Sequence, residues 1–240
     1  MVPKPMLGRE PSATAGSLTM WGILMFIGHY SASLAAKSSD RRVPLWVFVG
    51  AAQWLDIVWA TLIILGIEKV AGDPSRTEGL DFLSYPYSHS LMAALVWSAA
   101  AFVAARFAFR TDLKSAGLVA AALFSHWLLD LIVHHQDLPL WPGKSPKLGL
   151  ALWDLGRGEQ AIEVILLAIA GIAWGMSERR WFASAVFVGV AAMLMIGSGA
   201  TKPRSNIVNP IQIGLVGLAT YLGMTFIAYL LERPRRARAA

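Results

Sequence analysis

Residues 115–135 read SAGLVAAALFSHWLLDLIVHH, a 21-residue run in which His126 and Asp130 are embedded among apolar side chains. That length suits a helix crossing the roughly 30 Å hydrocarbon core of a bilayer at about 1.5 Å per residue. At about 100° per residue, His126 and Asp130 stand one above the other on one face, His134 continues the stripe, and His135 falls about 180° from His126. An ionisable group inside such a run costs about 2.5–3.5 kcal/mol on insertion scales, so it faces a partner, a cavity or an ion. The segment therefore predicts a membrane span with a polar site within it.

Working outward, comparable apolar runs occupy 17–36, 43–67, 88–109, 160–177, 181–199 and 210–231. With 115–135 they predict an all-α polytopic transmembrane helical bundle of about seven spans. Residues 1–16 read as a flexible N-terminal tail, 17–231 as a single transmembrane domain and 232–240 as a basic cytoplasmic tail. The fifth and sixth runs are separated only by the tight connection MSERRW. The polar, Pro- and Gly-containing first residues lack the basic-then-apolar form of a cleaved signal peptide, so the first apolar run is expected to be retained. Composition agrees: 56% of the 240 residues are hydrophobic and 15% charged, against about 25% charged in soluble domains, and the mean hydropathy is +0.53. Ten tryptophans and five tyrosines suit the two membrane interfaces. The absence of cysteine excludes disulfides, thiolate metal sites and cysteine nucleophiles.

The net charge of +6 does not indicate nucleic acid, because the basic residues lie in short segments between apolar runs without aromatic interleaving. Twelve of the 21 Lys and Arg residues fall at one end of the predicted bundle: Lys37, Arg41 and Arg42; Arg106, Arg110 and Lys114; Arg179 and Arg180; Arg233, Arg235, Arg236 and Arg238. The others are spread through longer segments that also carry Glu68, Asp73, Glu78, Asp81, Asp137, Asp154 and Glu159. The positive-inside rule then puts the C-terminus in the cytoplasm and the N-terminus outside. The loops bearing SYPYSHSL (84–91) and HHQDLPLWPG (134–143) face outward.

Besides His126 and Asp130, His29 in GHYSAS, Asp56 in AAQWLDIVWATLIILG and His89 in SYPYSHSL are metal-ligand types in or beside apolar runs. Together they predict one shared site. Imidazole and carboxylate suit zinc, manganese or ferrous iron. Without an ion, His29 would bond a backbone carbonyl and pair with Asp56, while His89 would sit at the interface between capping serines. Glu163, entering VILLAIAGIAW, is a candidate ligand, general base or partner orienting a histidine; Asp154 and Glu159 read as solvated loop residues. Gly171 and Gly175 form a small-xxx-small pair suited to close helix packing. Trp141-Pro142-Gly143 reads as a turn. No Gly-rich phosphate loop, His-Glu-x-x-His helix or Gly-x-Ser-x-Gly elbow occurs. Ser88, Ser90 and Ser125 each adjoin a histidine, but neighbours point to different helical faces.

Taken in order, GHYSASLAAK, WLDIVW, SYPYSHSLMAAL and SHWLLDLIVHHQDLPLWPG resemble the YdjM-like family of bacterial inner-membrane metal-dependent hydrolases. That family has a first-helix Gly-His, a Pro-Asp-x-Asp element, Thr-His-Ser-Leu, and Ser-His-x-x-x-Asp followed by Leu-x-Trp-Pro. The resemblance covers roughly 28–142 and implies His29, Asp56, His89, His126 and Asp130 as metal ligands in a bacterial inner membrane. Where the family has two aspartates this chain has Trp54-Leu55-Asp56, so a two-metal arrangement lacks one ligand. A related group of bacterial membrane proteins is similar through Asp73-Pro74, Asp81-Phe82, the segment around His89, HHQDLPLWPG and GLALWD up to Glu163.

The expected function is a membrane-embedded hydrolase using a divalent metal, zinc first and manganese or iron otherwise, with His134 or Glu163 moving the proton. Its expected partners are membrane lipid and a lipid-linked or amphiphilic substrate. The alternatives are a transporter or permease using the same polar groups, or a structural partner of another membrane protein. Against transport, neither an inverted repeat nor paired broken helices are legible.

Overall fold

The computed structural model describes residues 27–76, 78–199 and 208–233. The expected tail at 1–16, the first part of the span expected at 17–36 and most of the basic tail lie outside these residues. Eight α-helices make up the described fold: α1 (Gly28–Ser39), α2 (Leu45–Ala52), α3 (Trp54–Ile64), α4 (Leu91–Val103), α5 (Leu113–Val133), α6 (Arg157–Glu178), α7 (Trp181–Gly199) and α8 (Pro210–Glu232).

Their boundaries follow local chemistry. Ser90 caps α4 by accepting from the Ala93 N–H, and Asp112 caps α5 by accepting from the Ser115 N–H. Asn209 caps α8 ahead of Pro210, whose missing N–H costs nothing in the first turn. A π-helical turn at Ala104–Ala108 closes α4. The helices α6 and α7 turn back on each other at Arg179, which takes the left-handed conformation at φ 55°.

The run expected to form one span over 43–67 is two helices, α2 and α3, bent by 51° at Gln53, whose ψ of 5° leaves the helical range. Four helical segments among the described residues are long and apolar enough to cross a membrane: Leu91–Ala108, α5, α6 and α8. The bent α2–α3 pair would make a fifth. The apolar part of α7, Trp181–Ile196, is shorter, and α1 contributes 12 described residues. An all-α bundle with membrane-capable helices therefore stands, with four or five candidate spans among the described residues.

The helix α1 packs on α2, α5 and α6; α8 packs on α2 and α3; α4 packs on α5; and α7 packs on α6. Outward faces remain apolar, with Leu95, Ile165, Ile169, Leu215 and Leu222 exposed, as expected for helices in contact with lipid. The small pair on α6 mediates the α7 contact. A Cβ at Gly171 would lie 2.6 Å from Val188 Cγ2, and one at Gly175 would lie 2.8 Å from the Trp181 ring. Ser184 Oγ donates to the Gly171 carbonyl at 2.6 Å.

The two ends of the bundle differ. At one end lie two short antiparallel hairpins that the sequence did not suggest: β1 (Lys69–Gly72) with β2 (Leu80–Ser84), and β3 (Leu138–Pro139) with β4 (Lys147–Leu148). At the other, Lys37 is buried rather than displayed in a loop. Its Nζ contacts Glu178 at 3.0 Å and Glu232 at 2.9 Å, and donates to the carbonyls of Arg41 and Val43. One ammonium thus ties the ends of α1, α6 and α8 together. Beside it, Arg42 pairs with Asp40 and Asp112.

Candidate metal centre

The hairpin end of the bundle gathers the first turn of α1, the start of α3, the entry to α4 and the last turns of α5. Each brings one or two of the candidate ligands.

His126 on α5 is fixed by the α2–α3 bend. Interrupting the helix at Gln53 frees the Ala52 carbonyl from regular helical bonding, and His126 Nδ1 lies 2.6 Å from that oxygen. A carbonyl only accepts, so Nδ1 carries a proton, and in the neutral ring Nε2 presents its lone pair. His89 is fixed by a longer chain. Its Nδ1 is 2.7 Å from Ser88 Oγ, which donates to Glu68 Oε2 at 2.6 Å. The other Glu68 oxygen accepts from the Tyr87 and Ser88 N–H groups. With the serine proton committed to a carboxylate, its oxygen accepts from His89 Nδ1–H, and Nε2 again presents a lone pair. Trp127 Nε1 donates to the His89 carbonyl at 3.0 Å and holds that backbone in place.

The two Nε2 atoms stand 3.3 Å apart. Asp56 Oδ1 lies 3.4 Å from that of His89 and 3.6 Å from that of His126; Asp130 Oδ2 lies 3.6 Å and 3.3 Å from the same atoms. A zinc ion held tetrahedrally at about 2.0–2.1 Å sets its ligand atoms about 3.3 Å apart, so each of these five separations is close to one edge of such a tetrahedron. With both rings neutral, all four atoms are acceptors. Asp130 Oδ2 is buried and accepts no well-aligned hydrogen bond, the condition a cation relieves. Buried groups compatible with a metal ion are thus present: His29, His126 and Asp130 form one, and Asp56, His89 and His126 another.

His29 sits just outside the quartet. Its Nε2 is 3.2 Å from Asp130 Oδ1, and its ring stacks on His126 at 3.7 Å with an 8° interplanar angle. It either adds a further ligand or holds Asp130 through the oxygen facing away from the quartet.

His134 follows α5 as its C-terminal cap residue. Its Nδ1 lies 3.0 Å from Asp137 Oδ1, and its Nε2 is 4.0 Å from Asp130 Oδ1. Asp137 also accepts from the Tyr85 hydroxyl at 2.8 Å and from Arg76 at 3.3 Å. Burial pushes the Asp137 carboxyl up, but the His134, Tyr85 and Arg76 contacts outweigh it and leave the group below its ordinary range. Backbone bonds from Leu150 to Leu131 and from Ala151 to His134 strap the 149–151 segment across the end of α5. Gly149 is needed there, since at φ 154° its Cβ would fall 1.8 Å from the His135 carbonyl oxygen.

A cavity of about 40 Å³ opens beside His29, Asp56, His89, Asp130 and His134. By the measure on which one water needs about 10–15 Å³, it has room for a few waters. Trp59, Phe82, Tyr85 and Trp153 supply aromatic walls.

The remaining sequence candidates lie elsewhere. His135 contacts Glu78 at 3.3 Å and Asp154 at 3.7 Å, apart from the quartet. Glu163 accepts from the Gly28 N–H at 3.2 Å, so it caps α1 one residue before His29 and does not line the cavity. Glu159 corrects an expectation: it belongs to the first turn of α6 and is fully buried, not solvated in a loop. Asp154, also expected in a loop, lies in a 3-10 turn at Leu152–Leu155 with its side chain 70% exposed. Sequence reasoning put Glu68, Glu78, Tyr85 and Asp137 at this end but missed them, and Arg76, as components of the site. The one available signal was the spacing of Asp137, three residues beyond His134. Glu78 is buried against the cavity, and burial raises its carboxyl above the ordinary value.

Comparison of the chain with protein-family models, with curated proteins and with solved structures finds no match.

Proposed function

We propose that the chain is a membrane-embedded, metal-dependent hydrolase acting on a lipid-linked or amphiphilic substrate. The observation that carries this is the convergence of two imidazole lone pairs and two carboxylate oxygens, 3.3–3.6 Å apart across the histidine contacts, beside a small cavity. His89, His126, Asp56 and Asp130 would hold a divalent ion, zinc first and manganese or iron otherwise, with His29 against Asp130. Such an ion supplies Lewis acidity that lowers the pKa of water and polarises a scissile carbonyl or phosphoryl group.

The chain's own groups provide the rest. His134, backed by Asp137, accepts a proton from the attacking water and returns it to the leaving oxygen. Asp137, held by Tyr85 and Arg76, keeps the imidazole oriented. The aromatic walls limit water. Because the cavity is small, a substrate headgroup requires movement of the β1–β2 hairpin carrying Phe82 or the segment carrying Trp153.

Seven spans, a bacterial inner-membrane location, an outside N-terminus and a cytoplasmic C-terminus belong to the same proposal. They are supported by the basic residues gathered opposite the site and by the ordered resemblance to the YdjM-like hydrolases. The test is metal-dependent hydrolysis of an amphiphilic ester or phosphoester by purified protein, abolished in Asp130→Asn with the bundle still folded. Metal flux into liposomes, abolished by the same substitution and without turnover, would replace the hydrolase with a transporter.

A further inference from the structure

At the basic end a pocket of about 400 Å³ lies between the α1–α2 connection and the C-terminal ends of α6 and α8. Lys37, Arg41, Arg42, Arg180 and Arg233 line it, with the carboxylates Glu178 and Glu232. Both carboxylates close on the buried Lys37, and Arg42 is committed to Asp40 and Asp112. Arg41, Arg180 and Arg233 remain less completely neutralised. Arg41 has no side-chain ion pair among the described residues. Arg180 donates to the Leu231 carbonyl and stands 3.5 Å from Glu178. Arg233 lies over the Tyr229 ring at 4.6 Å.

A second cavity of about 470 Å³ is almost wholly apolar and includes Trp46, Gly50, Trp54, Trp97, Leu222 and Thr225 in its walls. Trp46 lines both cavities. On α8, Leu222, Thr225, Tyr229 and Arg233 follow at intervals of three and four, so one helical face leads from the groove to the guanidinium. Trp46 and Gly50 make the corresponding stripe on α2. From Leu222 to Arg233 is about 16 Å along the helix, roughly half of the 30 Å hydrocarbon core.

We propose that this continuous surface binds an anionic glycerophospholipid, its phosphate among Arg41, Arg180 and Arg233 and an acyl chain along the α2–α8 groove. Basic pockets between helices at a membrane surface suit anionic headgroups, and guanidinium forks suit phosphate oxygens. Positive charge selects against a zwitterionic headgroup, whose amine would meet the same arginines. The proposal rests on the membrane reading of the bundle but not on hydrolysis, since the pocket and the His/Asp quartet lie at opposite ends of α1.

The test uses the full-length chain purified in neutral detergent. Binding is followed by native mass spectrometry and by thermal unfolding with phosphatidylglycerol, phosphatidylcholine or inorganic phosphate added. Phosphatidylglycerol should be retained and should raise the unfolding temperature, while the other two should not. The double substitution Arg41→Gln/Arg233→Gln should weaken retention at least tenfold. So should Gly50→Leu, whose Cβ meets Thr225 Cγ2 at an ordinary 3.6 Å, so that it fills the groove without a backbone clash. Unchanged helical content and an unchanged elution volume in size-exclusion chromatography serve as the folding control for the variants; if a variant fails it, the wild-type lipid comparison alone decides. Equal retention of the two lipids, or an equal effect of inorganic phosphate, would overturn the proposal.

Discussion

His89 and His126 face each other through Nε2 atoms 3.3 Å apart, while each Nδ1 is tied to a different part of the protein. One is held by the Ala52 carbonyl exposed at a helix break, the other by the Ser88–Glu68 chain. Outer partners fix the tautomers, and the tautomers aim two lone pairs at one point.

Replacing Ser88 with alanine should therefore loosen His89 without removing a candidate ligand. Losing such an orienting partner costs about 10–100-fold in metal affinity. Competitive metal titration should record that loss, with Ser88→Thr retaining most of the affinity. Wild-type affinity in Ser88→Ala would show that the Glu68–Ser88 chain does not position the histidine.

Asp137→Asn should separate proton transfer from metal retention. The His134–Asp137 pair lies next to the quartet but outside it, so metal content should be unchanged. Turnover should fall by about 10²–10⁴-fold, the usual contribution of a positioned acid–base group. Rates and metal content measured on the same preparation check both halves.

At the other end, Lys37→Met should leave Glu178 and Glu232 facing each other without their shared cation. Removing one partner from a buried ionic cluster costs about 3–5 kcal/mol. Thermal unfolding in detergent should show a clear loss, and Lys37→Met/Glu178→Gln/Glu232→Gln should recover much of it. A single variant as stable as wild type would contradict the ionic tie.

Asp40 should contribute to acid sensitivity. Burial raises its carboxyl, but hydrogen bonds from Arg42 and Ser115 prevail and bring it from 3.8 to about 2. A depressed folded value means stability that is fully present above pH 3.8 and lost as the pH falls through about 2. Asp40→Asn should lower stability at neutral pH and flatten the dependence in that window. Unfolding temperatures measured from pH 2 to 5 would reveal an unchanged slope if Asp40 plays no such part.

Much of the candidate site was legible because His29, Asp56, His126 and Asp130 stand in runs that otherwise read as lipid-facing or core, where an ionisable side chain has few explanations. The orienting groups were less visible. Glu68, Arg76 and Asp137 lie in polar loops, where charged residues need no partner, and only folding brings them behind the histidines. Nothing in AAQWLD marks the break at Gln53, since no proline or glycine occupies it, although that break frees the Ala52 carbonyl and redirects the chain before Asp56. Lys37 resembled a loop charge because its two carboxylates are far away in sequence. Glu159 resembled a loop acid because α6 begins three residues earlier than its apolar run suggests.

The most direct measurement is elemental analysis of protein purified without added chelator, compared with His126→Ala prepared identically. A stoichiometric divalent metal should accompany the wild type and disappear from the variant, while helical content stays the same. Metal-free wild-type protein that keeps its fold, and gains neither metal nor stability when zinc, manganese or iron is supplied, would contradict a metal centre at the His/Asp quartet.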